Sequence, residues 1–306
     1  MAPAFRQKTV AAVVVTYNRK DLLVECVEQL LAQTAKDEMD VIVIDNDSSD
    51  GTEAALAPYI EKDALVYHNT GENLGGAGGF QLGMRIAAEA QYEYIWVMDD
   101  DTIPHPDALE RLLEATSEID SDWGFLSSKV LWKDGSICEM NRQRETLTKN
   151  ISDSARGLRP VVMASFVSLF VPVSVIKEAG LPIKEFFIWT DDWEFTRRIS
   201  LQHKCYLVSS SIVVHKCASN HGANIAVDST DRLDRYNYLY RNDVYLYRRE
   251  GMKGFLYEAA RLVGHAVRVL LRSKDNKGAR LKMIAKGTID GFSFNPVIEF
   301  PADNDA

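Results

Sequence analysis

The sequence predicts an α/β protein, a mostly parallel sheet flanked by helices and followed by a helical C-terminal region. Three observations predict it. β-Branched runs recur between amphipathic stretches, the connections between them are short and polar, and the pattern turns helical from Asp231 onward. A continuous apolar run without alternation marks a strand covered on both faces, as in a parallel sheet.

The elements follow in order. Residues 9–17 form the first apolar run, and Asn18-Arg19-Lys20-Asp21 leads to a helix with Leu22, Leu23, Cys26, Val27, Leu30 and Leu31 inward. Residues 40–44 are a second strand, ending in a polar turn from Asp45 to Thr52 that caps a helix from Glu53. Residues 65–69 are a third. The glycine-rich stretch 73–80 opens a helix over 81–90, and Tyr94 to Met98 is a buried strand that runs into Asp99-Asp100-Asp101. Beyond it, 123–132 contains a strand, 143–160 reads as a polar loop, and 161–173 has strand character. Residues 186–195 are aromatic-rich around Asp191-Asp192 and continue amphipathically to Leu201. The run 205–214 is a strand ending at His215. A boundary near residue 228 separates a domain over 1–228 from a helical region over 229–306.

The bulk properties bound the function. A chain of 306 residues, 46% hydrophobic, can bury a sizeable core. Its net charge of -9 excludes a general nucleic-acid binder, which needs a basic footprint. The charge is uneven. From Leu246 to Lys286 there are eleven Lys/Arg and three Asp/Glu, a local +8, which leaves -9 - 8 = -17 for the remainder. Four scattered cysteines without a C-x-x-C pair suit a reduced compartment better than a disulfide framework or a zinc site. The N-terminus has no secretory pattern, and no apolar run approaches the ~18 residues needed to span a bilayer. The expectation is a cytoplasmic protein, with a peripheral position on the cytoplasmic membrane face open to it.

The polar groups at strand ends carry the candidate chemistry. Three adjacent carboxylates repel one another, and a divalent cation held by hard oxygen ligands would relieve the repulsion. The competing reading is an acidic turn before a helix starting near Asp101-Thr102-Ile103-Pro104. Glycines 75–79 before a helix let backbone N–H groups approach an anion, or simply form a tight turn. Asp45 can accept hydrogen bonds from a ribose or a base, or serve the turn. Asp191-Asp192 lie among Trp189, Trp193 and three phenylalanines. An apolar setting raises a carboxylate pKa and improves a general base, and the indoles could stack on a sugar face. His215 is a metal ligand or a surface imidazole.

As an ordered set, these motifs resemble the family 2 glycosyltransferases of the GT-A fold. They are Val-Val-Thr-Tyr-Asn-Arg (14–19), Val-Ile-Asp-Asn-Asp-Ser-Ser-Asp-Gly-Thr (43–52), Asn-Leu-Gly-Gly-Ala-Gly-Gly (73–79), the Asp triplet, Thr-Asp-Asp-Trp-Glu-Phe (190–195) and His215. The resemblance covers roughly residues 9–220. Tyr240-Arg241-Asn242 and the glycine-rich stretch look most like rhamnosyl- and galactofuranosyltransferases. The resemblance implies a metal-dependent inverting transfer from a nucleotide diphosphate sugar, UDP-galactofuranose or dTDP-rhamnose, to a glycan or lipid-linked acceptor. It implies that Thr16, Tyr17, Arg19, Asp45, Asn73, Gly75 and Gly76 hold the nucleotide. Asp99, Asp101 and His215 would bind Mn²⁺ or Mg²⁺, Asp100 would face the donor sugar, and Trp189 and Trp193 the acceptor. Asp192 would be the base; the family's usual Glu-Asp pair is Asp191-Asp192 here, so Asp191 stays a candidate. The rival classes are a nucleotidyltransferase, for which the N-terminal loop is not glycine-rich, and a non-catalytic sugar-binding protein, for which the acids would be dispensable.

In the C-terminal region Phe255, Ala259, Leu262, Ala266 and Leu270 fall at helical spacing, with Arg261, His265, Arg268 and Arg272 on another face. A basic amphipathic helix suits an anionic membrane surface, or else packing on the catalytic domain or a contact between copies of the chain.

Overall fold

The computed structural model describes residues 8–119 and 122–302. Strand β1 (Val10–Thr16) is buried along its whole length, because helices cover both faces of the sheet. It is followed by α1 (Lys20–Leu31), β2 (Met39–Asp45), α2 (Thr52–Ile60), β3 (Val66–Asn69), α3 (Gly75–Glu89), β4 (Tyr94–Asp99), β5 (Thr102–Pro104) and α4 (Ala108–Glu118). Then come β6 (Trp123–Trp132), β7 (Leu158–Pro160), β8 (Leu169–Pro172), α5 (Val173–Ala179), α6 (Asp191–Ser200) and β9 (Lys204–His215). The chain closes with α7 (Arg235–Arg248), α8 (Gly251–Arg272) and α9 (Lys277–Ser293).

All nine strands join one sheet, in the order β3-β2-β1-β4-β8-β6-β9-β5, with β7 also on β9. The parallel expectation holds for β3, β2, β1 and β4. The second half is mixed: β8 is antiparallel to β4 and β6, β6 and β9 are parallel, and β5 and β7 run antiparallel to β9. A chain of buried hydroxyls ties this half together. Trp96 Nε1 donates to Ser168 Oγ at 2.8 Å, which meets Ser128 Oγ at 2.7 Å. Ser128 in turn meets Ser211 Oγ at 2.7 Å, and Ser211 donates to the Ala108 carbonyl at 2.9 Å. Polar groups in a core persist when each has a partner, as these do.

Four stretches differ from the sequence expectation. Of 143–160, read as a loop, Leu158–Pro160 is strand β7. Of 161–173 only β8 is strand; 161–168 is irregular backbone and Val173 opens α5. Asp101-Thr102-Ile103-Pro104 starts no helix, because Thr102, Ile103 and Pro104 pair with His215, Val214 and Val213. The glycine cluster is not a loop before a helix; it is the first turns of α3 itself. Small residues there let α3 lie close on the sheet. A Cβ on Gly83 would come within 2.4 Å of Val13 Cγ1 and 3.0 Å of Ile44 Cγ1.

The C-terminal helices build a smaller core of Leu233, Tyr236, Tyr240, Val269 and Ile284 with Ile225 and Ala226. The tail beyond α9 straps back onto the first part: the Leu181 amide donates to the Glu299 carbonyl, and Arg85 and Lys184 both pair with the Glu299 carboxylate. Helix α8 is amphipathic, but its faces are not those expected. Leu262 and Ala266 pack inward, Arg261 is paired inside, and His265 lies against Tyr240. Exposed instead is an apolar stripe that includes Leu256 (60%), Val263 (65%) and Leu271 (78%). No helix among the described residues is long and apolar enough to cross a membrane.

Gly83→Ala should destabilise the fold by about 1–3 kcal/mol, since an added methyl cannot be absorbed between α3 and β1 without displacing one of them. Equilibrium denaturant unfolding measures it; an unchanged midpoint would contradict the packing.

Candidate active site

The site forms at the carboxyl ends of the parallel strands, where an open α/β sheet binds its ligands. Asp45 ends β2, Thr16 ends β1 beside it, and Asp99 ends β4 one strand further on. The chain then turns at Asp100 and Asp101 into β5. The pairing of β5 with β9 sets Thr102 opposite His215, and the Lys216 amide donates to the Asp101 carbonyl at 2.9 Å. Residues more than a hundred positions apart in sequence are thereby held side by side.

The result is a triangle. Ligand atoms of Asp99, Asp101 and His215 lie within 4.8 Å of one another, and His215 Nε2 is 2.9 Å from Asp101 Oδ1. That contact lacks the alignment of a hydrogen bond, and Asp101 Oδ1 is otherwise buried without a partner. Burial and the neighbouring Asp101 push the Asp99 carboxyl up to about 7. Burial pushes Asp100 up to about 6 despite Arg19. Burial also opposes ionisation of Asp101, but His215 and Arg19 outweigh it and hold its carboxyl below the usual range. Burial disfavours the His215 imidazolium, yet Asp101 and the thiols of Cys138 and Cys217 lift it to about 12. Two carboxylates and an imidazole around one point, with an orphaned oxygen, fit a hard or borderline divalent cation such as Mn²⁺ or Mg²⁺.

Asp100 differs from its neighbours. It accepts from Thr16 Oγ1 at 2.8 Å and Arg19 Nη1 at 3.1 Å, while the same Arg19 nitrogen reaches Asp101 Oδ2 at 2.8 Å. Its oxygens are committed, and it does not line the cleft. The direct sugar contact expected of it would require Arg19 to move.

The other predicted residues sit around these. Asp45 is fully buried and accepts from Tyr67 Oη at 2.6 Å and the Ser48 amide at 2.9 Å. Tyr17 stands half-exposed at the rim. Asn73 Oδ1 accepts from the Gly75 amide, and the Ala77 amide donates to the Phe187 carbonyl. The amino end of α3 is thus partly satisfied from within. Gly75 has φ +72°, and a Cβ there would sit 2.2 Å from the Phe187 oxygen, so only glycine fits. Gly76 is open and lines the cleft.

That cleft encloses about 1550 Å³ including its mouth, and Asp99, His215, Trp189, Asp191, Asp192 and Trp193 all reach it. The acid pair opens α6, and the backbone before it is strained: Phe187, Trp189 and Thr190 all have positive φ. Such strain persists only where surrounding contacts over-determine it. Here α7 supplies them. The buried Asn242 amide donates to the carbonyls of Phe186, Ile188 and Trp189, and Thr190 Oγ1 donates to Asp243 Oδ1 at 2.7 Å. Burial pushes Asp191 up to about 6. Burial and the charge of Asp191 push Asp192 well above the usual carboxylate range, with Asp99 adding to the effect.

Several residues escaped the sequence reading. Asn242 was noted within a motif without a role, and Asp243 was not singled out. Arg144 stacks on the Trp193 ring at 4.4 Å. Arg261 joins Asp243 at 2.8 Å and Glu258 at 2.7 Å, so the basic residue expected to face a membrane forms part of the cleft wall. Asn141 Oδ1 meets His215 Nδ1 at 2.7 Å. No local pattern signals these, since each depends on a distant partner.

Known proteins resemble the chain in both sequence and fold. Residues 11–124 match the model for "Glycosyl transferase family 2". The fold is GT-A-like. The chain is 25% identical to galactofuranosyltransferase GlfT1 of Mycolicibacterium smegmatis over 273 residues, covering 81% of the chain and 86% of that relative. Its fold is similar to S. aureus TarS (TM-score 0.55, 17% identity, 94% of this chain and 72% of that one). It is similar also to mannosyltransferase PcManGT from Pyrobaculum calidifontis, solved with GDP-Man and Mn²⁺ (TM-score 0.55, 15% identity, 95% and 77%).

The raised carboxyl groups fix how metal and pH should act on stability. A carboxyl whose pKa is raised on folding favours the protonated form, so its contribution is present at low pH and is lost as pH rises through the folded value, about 6 for Asp100 and 7 for Asp99. Metal-free protein should therefore lose thermal stability between about pH 4 and 7, from the ordinary carboxylate value up to the folded ones. Mn²⁺ at about 100 times its Kd should restore about 2.7 kcal/mol. Asp101→Asn should abolish the Mn²⁺ increment; an equal increment in that variant would remove Asp101 from the metal site.

Proposed function

We propose that the chain is a metal-dependent, inverting hexosyltransferase that moves galactofuranose or rhamnose from UDP-galactofuranose or dTDP-rhamnose to a glycan or lipid-linked glycan in cell-surface polysaccharide synthesis. The observation that carries the reading is the placement of Asp191-Asp192 and the Asp99–Asp101–His215 triangle on one cleft. Similarity to galactofuranosyltransferase GlfT1 along most of both chains supports the first sugar over the second.

In this reading Thr16, Tyr17, Arg19, Asp45, Asn73, Gly75 and Gly76 border the nucleotide. Asp99, Asp101 and His215 would hold the cation, which supplies charge neutralisation to the departing diphosphate. Arg19, released from Asp101 as the cation binds, would reach a phosphate oxygen while Asp100 keeps it oriented. Asp192 takes the proton of the acceptor hydroxyl while that oxygen bonds the anomeric carbon and the carbon–diphosphate bond breaks. A single displacement of this kind inverts the anomeric centre. Asp192 is favoured over Asp191 because it is the more exposed of the two. Trp189 and Trp193 offer ring faces to the sugars. The Asn242 clamp keeps the base in place.

The outer stripe of α8 we assign to an anionic membrane surface. Its apolar side chains are exposed, and Lys253, Arg268 and Arg272 are exposed on the same helix. The inner side of α8 carries Arg261 and His265 into the cleft, which sets the cleft beside the bilayer and within reach of a lipid-linked acceptor.

Asp192→Asn should lower kcat by at least a thousandfold with nucleotide affinity within a few-fold of wild type, read by donor turnover and calorimetry; full turnover would sink the assignment. A base must be ionised to act, so transfer should fall as pH drops through the raised pKa of Asp192, above the usual carboxylate range. A profile flat down to pH 4.5 would contradict it. The chain should float with anionic liposomes at low salt, and Val263→Glu with Val267→Glu should not. Flotation unaffected by the pair, or a stable dimer that the pair dissociates, would move the stripe to another role.

A further inference from the structure

The imidazole that closes the triangle belongs to a second cluster. Cys138 is buried just before the turn Glu139–Asn141, and Cys217 lies two residues beyond His215. Their sulfurs and a ring nitrogen of His215 lie within 4.8 Å of one another, with Cys138 Sγ 3.8 Å from Nδ1. Asn141 Oδ1 touches both, at 3.0 Å from Cys138 Sγ and 2.7 Å from Nδ1. Two of the four scattered cysteines thus meet at one histidine. A tetrahedral zinc ion with bonds near 2.3 Å to sulfur and 2.0 Å to nitrogen separates its ligand atoms by about 3.5–3.8 Å. Cys138 Sγ and Nδ1 already stand at that spacing, and Cys217 Sγ lies within 4.8 Å. Cys217 is partly exposed and Asn141 lines the cleft, which gives a metal a way in.

We propose that Cys138, His215 Nδ1 and Cys217 form a binding site for a thiophilic divalent cation of the zinc class, and that its occupation excludes the hard cation from Asp99, Asp101 and His215. The ligand chemistry differs between the two: thiolate sulfur selects zinc-like ions, carboxylate oxygen selects Mn²⁺ or Mg²⁺. The exclusion follows from the shared ring. A neutral imidazole has one lone pair and one N–H. With the hard cation on Nε2, the proton sits on Nδ1 and is donated to Asn141, the outer hydrogen bond that a metal-bound histidine normally makes. With zinc on Nδ1, the proton sits on Nε2 and points at Asp101, so the triangle has lost its nitrogen ligand. Binding releases the two thiol protons to solvent, and Asn141 Oδ1 stands beside the fourth position. The site would make transfer sensitive to zinc. The exclusion rests on the metal reading of the triangle; the thiol site does not.

Cobalt(II) added to the metal-free chain reports the thiol site alone. One equivalent should give a thiolate-to-cobalt charge-transfer band, lost in Cys138→Ser and in Cys217→Ser. Absence of the band in wild type, or its persistence in the double variant, overturns the site. Mn²⁺ binding followed by electron paramagnetic resonance reports the triangle alone and also shows that the variants are folded. If serine at the buried position 138 prevents folding, Cys138→Ala replaces it. Zinc should release Mn²⁺ from wild type at least tenfold more potently than from the double cysteine variant. Equal potency overturns the exclusion, whereas no Mn²⁺ binding in wild type defeats the triangle and leaves the cobalt result standing.

Discussion

The pairing of β5 with β9 is the contact on which the site depends. Strand β5 is three residues long, yet it reverses the chain directly after the acidic triplet and fixes the end of β9 against it. Without that pairing Asp99 and Asp101 would end a strand as a repelling pair with no third ligand. With it, His215 faces Asp101, and two of three buried acids are pushed toward neutrality. The sheet there stores an electrostatic cost that a cation would relieve. A stability-driven sequence would not place three carboxylates at such a point, and this is the physical case for function.

The second constraint is the clamp from α7. The acid pair follows a segment with three residues in the left-handed region, and no element of its own holds that shape. Asn242 gathers three of its carbonyls and Asp243 holds Thr190, so the C-terminal helices act as the template on which the cleft is completed. Arg261, joined to Asp243 and Glu258, extends the same network into α8. The same helix exposes Leu256, Val263 and Leu271 on its other side.

Much of this was legible in the sequence for a simple reason. Strands β1, β2 and β4 are buried along most of their length, so they read as apolar runs, and their carboxyl ends carry the polar residues in order. Asp45, Asp99 to Asp101, Asp191-Asp192 and His215 could be picked out because each breaks an apolar pattern. The second half of the sheet was harder. Residues 161–168 are apolar because they are buried, not because they are strand. Glycines 75–79 read as an anion loop, although Gly79 serves close packing of α3 on β1. Which face of α8 meets the protein was left open, because helical spacing defines two faces and not which of them packs. Asn141, Asn242 and the Cys138–Cys217 pair were out of reach, since their roles exist only across long sequence separations.

The most direct measurement is anomalous diffraction from crystals grown with Mn²⁺ and a nucleoside diphosphate. The account predicts one strong peak within about 2.0–2.3 Å of oxygens of Asp99 or Asp101 and of His215 Nε2, bridged to the diphosphate. A peak bound to the nucleotide but remote from all three side chains, with Arg19 still spanning Asp100 and Asp101, would contradict it.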